Sequence, residues 1–203
     1  MDSVRKVRGR YELLLGGERY VLTRAQMEER PLAEGDELEP EEFERWLQLH
    51  QYRPALEYAV SLLAARPCAR GEIEQKLRRN GYRPGTVELV IYKLEKHGLL
   101  DDGAFARQWA QARAGRRLGS RRIAMELRQK GVSAEDAEAA LTALDPEEVR
   151  QAALAIARRR LRDARPDEDR RKTAQRVLAA LVRRGYSFEQ AKEALREALA
   201  EQA

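Results

Sequence analysis

The stretch GSRRIAMELRQKGV, residues 119–132, reads as an amphipathic helix closed by a glycine, and its skeleton Ile123-x-x-x-Leu127-x-x-x-Gly131 stands three times in the chain. Fifty residues earlier it is Ile73-x-x-x-Leu77-x-x-x-Gly81, and fifty-four residues later Val177-x-x-x-Leu181-x-x-x-Gly185. Each glycine is followed by apolar residues at i, i+3, i+4 and i+7, one face of a helix: Val87, Val90, Ile91 and Leu94, then Ala137, Ala140, Leu141 and Leu144, then Ala191, Ala194, Leu195 and Ala198. A further stripe precedes each copy, at Leu56, Ala59, Val60 and Leu63, at Phe105, Trp109 and Ala112, and at Val149, Ala152, Ala153 and Ile156. Each unit therefore has three helices.

The punctuation agrees. The repeat glycines sit where a helix ends in a left-handed residue, with Tyr82, Val132 and Tyr186 placed to pack back on the last turn. Asp145-Pro146-x-Glu148 combines an N-cap, a first-turn proline and a capping-box glutamate, while Ser133-x-x-Asp136 and Ser187-x-x-Gln190 open the third helices of the second and third units. A unit of roughly 45 to 55 residues is marginal alone, so neighbours are expected to pack in an elongated array.

The first fifty residues differ. Arg10–Leu15 and Glu18–Leu22 are short Tyr-, Leu- and Val-rich runs joined by Gly16-Gly17, which supply the positive φ angles of a tight β-hairpin. No phosphate-binding loop is expected there, because a strand rather than a helix follows. Thr23 and Gln26 fit a capping box, and Pro40 opens a short helix carrying Phe43, Trp46 and Leu47. The expected organisation is mostly α, with tandem three-helix repeats: residues 1–50 a hairpin with short helices, then repeats at 51–100, 101–144 and 145–203.

Composition excludes several functional classes. A lone Cys68 and two separated histidines, His50 and His97, cannot build a structural zinc site or an intramolecular disulfide. No apolar run approaches the roughly 18 to 20 residues of a membrane span, and the N-terminal residues lack a secretory signal's apolar stretch, so the cytoplasm is the expected compartment. No Gly-x-Ser-x-Gly, Walker loop or paired nucleophile and base is present, so no catalytic residue, cofactor or metal is assigned. Asp101-Asp102 precedes the Phe105 helix and is expected to cap it. Cys68 is read as a helix start and the histidines as ordinary, neither having a partner that would make it a base. Phe105, Trp109, Tyr82 and Tyr186 are read as core, and truncating Trp109 would then cost roughly 3 to 5 kcal/mol.

The formal charge is +5, from 39 basic and 34 acidic residues. Residues 1–50 hold 8 basic and 12 acidic side chains, so the positive character belongs to the rest and suggests an anionic partner. Residues 101–130 carry Arg107, Arg113, Arg116, Arg117, Arg121, Arg122, Arg128 and Lys130 against Asp101, Asp102 and Glu126. The third unit follows with Arg158, Arg159, Arg160 and Arg162, then Arg170, Arg171, Lys172, Arg176, Arg183 and Arg184. By contrast, 133–144 carries Glu135, Asp136 and Glu138 and no cation. A helix-turn-helix reader of DNA puts its last helix into an anionic major groove, where such a helix would be repelled. A basic side could still meet phosphates or an acidic protein surface.

The run Leu99-Leu100-Asp101-Asp102-x-x-Phe105-Ala106-x-x-Trp109, then Arg113, then Gly119-x-x-Arg122-Ile123-x-x-Glu126-Leu127-x-x-Lys130-Gly131-Val132, resembles the signature of the RecX recombination regulators. Leu181-x-Arg183-Arg184-Gly185-Tyr186 resembles the family's C-terminal motif, and Gly9-Arg10-Tyr11 through Gly35-Asp36-Glu37-Leu38 its longer members' N-terminal segment. Gly17-Glu18 stands where that pattern would have Asp-Gly, and Cys68 where it would have a hydroxyl N-cap. The resemblance implies a non-enzymatic regulator that lodges in the helical groove of the RecA recombinase filament and restrains its ATP hydrolysis, strand exchange and growth in recombination and DNA repair. Contacts are expected at Arg113, Arg116, Arg117, Arg121, Arg122, Arg128 and Lys130, then Arg183 and Arg184, on a continuous basic side of a monomer. The competing reading is a protein that binds single- or double-stranded DNA and competes with the recombinase for single strands.

Overall fold

A computed structural model of the chain describes residues 1–7, 9–164 and 169–201. The chain divides into two compact units, Met1–Leu100 and Asp101–Ala203.

The first unit opens with an antiparallel sheet of β1 (Ser3–Val7), β2 (Arg10–Leu15) and β3 (Glu18–Leu22), in that order. The hairpin is as expected: Leu13 faces Tyr20, Leu15 faces Glu18, and Gly16 and Gly17 have φ of +58° and +82°, as a type I′ turn requires. β1 was not anticipated. Its centre is Arg5-Lys6, and charged side chains on an outer strand keep the sheet edge from pairing further while hiding the apolar alternation. Thr23 and Gln26 form the expected capping box on α1 (Arg24–Glu29).

Helix α2 (Pro40–Ala65) runs unbroken through residue 50, where the sequence placed a boundary, and carries Pro54 inside it. A proline there removes one helical hydrogen bond and costs about 3 kcal/mol. One buried line along the helix offsets this by serving two cores. Phe43 and Leu47 pack under the sheet with Leu13, Tyr20 and Leu22, while Ala55 and Ala59 join Ile73, Leu77, Val90, Ile91 and Leu94. The expected register of the second half is corrected accordingly, since Val60 is exposed and Leu56 and Leu63 only half-buried. Between the cores lies Gln51, 2% exposed. Its Oε1 accepts from the Arg83 backbone N–H at 2.8 Å, and its Nε2 donates to the carbonyls of Val21 and Gly81, both at 3.5 Å.

α3 (Arg70–Arg79) and α4 (Pro84–Lys96) complete the first repeat. Ala69, not Cys68, is the N-cap of α3, and Cys68 is buried in the core beside it. With no hydroxyl available, the Glu72 carboxylate accepts from the Ala69 N–H at 3.4 Å.

The second unit holds α5 (Asp102–Gly115), α6 (Ser120–Gln129) and α7 (Ala134–Thr142), then α8 (Pro146–Arg162), α9 (Arg170–Arg183) and α10 (Phe188–Ala200). Asp101, Ser133 and Ser187 cap as read from the sequence. Asp145 accepts from Glu147 N–H at 2.9 Å without the reciprocal glutamate bond expected of Glu148. In the first stripe Phe105, Ala106 and Ala110 are buried and Ala112 is exposed. The second helix of every repeat ends alike. Gly81, Gly131 and Gly185 have φ of +85°, +82° and +95°, and Tyr82, Val132 and Tyr186 donate to the carbonyls of Leu77, Leu127 and Leu181 at 3.3, 3.1 and 3.2 Å. This is the Schellman closure read from the sequence.

Those turns also make tertiary contacts. Gly119 N–H donates to the Arg184 carbonyl at 2.9 Å, and Arg121 N–H to the Gly185 carbonyl at 3.0 Å, so the start of α6 docks on the end of α9. A Cβ on Gly119 would lie 2.3 Å from the Gly185 carbonyl carbon and the Tyr186 nitrogen. In the first unit Gly81 meets β3 similarly: a Cβ there would lie 2.7 Å from that of Val21, and the Arg10 guanidinium donates to the Asn80 carbonyl. Gly119→Ala is expected to destabilise the second unit by about 1–3 kcal/mol or more, since neither backbone can yield cheaply. Ser120→Ala, a small change one residue along, should have little effect. Thermal denaturation of the two variants, showing equal stability, would overturn the close approach as a constraint.

Candidate partner-binding surface

The nine cations expected to bind a partner all lie in the second unit, at helix ends and turns. Arg113 is in the last turn of α5, Arg116 and Arg117 follow it, and Arg121 and Arg122 are in the first turn of α6. Arg128 and Lys130 end α6, and Arg183 and Arg184 end α9. Cations at helix C-termini are locally stabilised by the backbone dipole. Arg121 and Arg122, at an N-terminus, are not.

Two neighbourhoods form. The first surrounds Glu126, whose side chain is 16% exposed. Arg113 Nε lies 2.7 Å from Glu126 Oε2 and Arg122 Nε 3.4 Å from Oε1, while the Trp109 indole N–H donates to Oε2 at 3.2 Å. Arg113 and Lys130 sit over the indole ring, 4.1 and 4.2 Å from its centroid. Trp109 is therefore half-buried rather than core, and its ring supports two cations. In the sequence Glu126 stands in the family signature and in the local charge count, without an assigned role. Its spacing from Arg122, i to i+4, was the available signal.

The second neighbourhood gathers Arg117 and Arg184 with Arg159 and Arg160 of α8. Arg122 and Arg184 connect the two, since the Arg122 backbone packs on Gly185 and the Arg184 carbonyl accepts from Gly119. Arg117 has φ of +59°, the one non-glycine residue with positive φ among the described residues. It occupies the C′ position of α5, which glycine fills after α3, α4, α6 and α9. Beside it Tyr186 is buried, as expected, and its hydroxyl has no hydrogen-bond partner among the described residues. Burial pushes this phenol's pKa up, and the charges of Arg184 and Arg117 oppose the rise.

Arg128 lines a groove of about 360 Å³ between α6 and α7, opposite Glu138. Arg116, Arg121 and Arg183 are exposed, and nothing in the structure joins their side chains to either neighbourhood. The third helix α7 buries Ala137 and Ala140 and leaves Glu135 and Glu138 exposed. His50, read as unpartnered, is paired: its Nε2 lies 2.8 Å from Glu29 Oε1 and its ring stacks on Trp46. Among the described residues no group of three or more His, Cys, Asp or Glu could hold a metal, and no helix is long and apolar enough to cross a membrane.

Tandem three-helix repeats bearing cations on their turns define a class of helical repeat proteins. Family models of RecX match all three repeats: its first three-helix domain over residues 55–94, its second over 101–141 and its third over 147–195. The chain is 39% identical to Regulatory protein RecX of Mycobacteroides abscessus over 149 residues, 72% of each chain. It is 37% identical to that of Streptomyces coelicolor over 144 residues, 70% of this chain and 76% of the relative. A crystal structure of regulatory protein RecX matches with a TM-score of 0.66 at 25% identity, covering 96% of both chains. RecX from Lactobacillus salivarius shares the fold, with a TM-score of 0.69 at 19% identity over 74% of this chain and 97% of that one. The chain belongs to the RecX family of regulatory proteins.

Trp109→Phe keeps a ring beneath the cations but removes the donor to Glu126, and is expected to cost about 1–3 kcal/mol, the range for a hydrogen bond to a charged group. Glu126→Gln should cost a similar amount by leaving Arg113 and Arg122 without their counter-charge. Chemical denaturation measures both, and additive losses in the double variant would contradict a shared network.

Proposed function

We propose that the protein regulates the RecA recombinase by binding its filament along the helical groove and restraining ATP hydrolysis, strand exchange and filament growth. Membership of the RecX family supports a regulatory role, and the ordered cationic surface around Glu126 carries the reading of how it binds. Arg113, Arg122 and Lys130 are held in place before any partner arrives, so less side-chain freedom is lost on binding. Arg116, Arg121, Arg128 and Arg183 of the same unit are exposed cations that steer encounter with an acidic protein surface. Regulation then acts by occupancy: a ligand seated across neighbouring protomers favours whichever filament state it binds best, with no turnover of its own. A monomer working in the compartment of the recombinase suffices for this.

Protein added after filaments have assembled is expected to inhibit DNA-dependent ATP hydrolysis at amounts too small to cover the DNA. The variant Arg116→Ala/Arg121→Ala/Arg128→Ala should need roughly ten-fold more protein for half-inhibition while keeping its helical content, because exposed charges contribute affinity more than stability. Unchanged inhibition would reject this contact surface. Loss of inhibition whenever free DNA is in excess would favour competition for single strands instead.

A further inference from the structure

We propose that the concavity between the α5–α6 turn, the end of α8 and the end of α9 is a seat for backbone phosphate groups of nucleic acid. The space is about 270 Å³ and is lined by Arg117, Arg159, Arg160 and Arg184, with Ile156 and Asp163. Four guanidinium groups thus face one carboxylate. That carboxylate is engaged by Arg159, whose Nε lies 3.6 Å from Asp163 Oδ2. Among the described residues Arg117, Arg160 and Arg184 have no carboxylate within ion-pair distance.

Helix dipoles do not account for this charge. Three C-termini and the start of α6, which abuts the end of α9, converge here, and at roughly half a charge each they sum to about −1. The side chains total +3, counted over Arg117, Arg159, Arg160, Arg184 and Asp163. Counted over the described residues, an excess of about +2 is left facing solvent, where like charges repel unless an anion joins them. The backbone points the same way. Arg117 takes the left-handed position at φ of +59°, where a side chain costs about 1–2 kcal/mol that glycine would not. The position delivers a guanidinium to the concavity at the expense of local stability, and strain of this kind concentrates at functional sites.

The chemistry selects phosphate over carboxylate. A carboxylate is satisfied by one bidentate guanidinium, whereas the non-bridging oxygens of successive phosphates accept from several forks at once. Every cation lining the space is arginine and no aromatic side chain lines it, so bases have nothing to stack on. Binding would follow the backbone and ignore sequence. Arg117 and Arg184 are shared with the cations assigned to the recombinase, but Arg159 and Arg160 lie outside them and the test needs no recombinase, so the two readings can fail separately.

The full chain is titrated against fluorescently labelled oligothymidylate by anisotropy across a salt series, with polyglutamate as a second ligand. Arg159→Ala/Arg160→Ala is expected to lose about ten-fold in affinity at physiological salt and to flatten the log–log salt slope by about 1.4, two single-strand contacts at roughly 0.7 each. Arg117→Gly relieves the left-handed strain, so it should weaken oligothymidylate binding while its melting temperature stays level or rises, which separates binding from folding. Unchanged affinity and slope in both variants would overturn the proposal. So would a loss confined to polyglutamate, which would assign the concavity to an acidic protein.

Discussion

Two backbone hydrogen bonds between helix ends organise the second unit. Gly119 and Arg121 donate from the start of α6, and the carbonyls of Arg184 and Gly185 accept at the end of α9. Helices begin with unpaired N–H groups and end with unpaired carbonyls, and burying either unpaired costs about 1–3 kcal/mol. Abutting one start against one end satisfies both sets and aligns the two dipoles favourably. The arrangement demands backbone approach too close for any Cβ at Gly119. The first unit solves a related problem with the same turn: Gly81 lies against Val21, and Gln51 bridges the two carbonyls where α2 passes from one core to the other. The repeat glycine thus ends a helix and offers bare backbone for docking.

That docking determines where the cations can be. It brings the Arg122 backbone of one repeat against Gly185 of the next, gathering cations that need compensation. Glu126 supplies part of it, drawing the Arg122 and Arg113 guanidiniums inward, while the face of Trp109 holds Arg113 and Lys130. At Arg117, Arg160 and Arg184 no such compensation exists among the described residues. One neighbourhood holds its cations on a shared carboxylate and an indole face; in the other only Arg159 has a carboxylate partner among the described residues.

The features legible in the sequence are those set by local physics. Ile73, Leu77 and Gly81 with their two later copies marked the repeats, because helical period and left-handed closure depend only on nearby residues. The Gly16-Gly17 hairpin and the Thr23, Ser133 and Ser187 caps were visible for the same reason. The change of character after the first fifty residues suggested a break, yet two cores sharing one face hold α2 together despite Pro54. Trp109 looked like core because periodicity reports which side of a helix a residue occupies and not how far its neighbours cover it. Glu126 and the Arg159–Arg160 pair were hidden differently: their roles arise from residues on other helices. Basic composition pointed to the arginines of the second unit but could not distinguish a paired arginine from a surplus one.

The sequence alone disfavoured DNA reading by a third helix, and the structure gives that a geometric basis. α7 spends its small apolar residues, Ala137 and Ala140, on packing and turns Glu135 and Glu138 outward, so its exposed face would repel a phosphate-lined groove. Apart from Arg121 and Arg122, the nine cations stand instead on turns and helix C-termini, where the dipole helps to hold them, and at Arg117 and Arg184 three elements converge on one space. A helix face presents residues along a line and suits a groove floor, whereas converging helix ends surround a point and suit a compact anionic group. In this unit the three-helix modules bring the ends of α5, α8 and α9 together, while the exposed face of α7 is acidic.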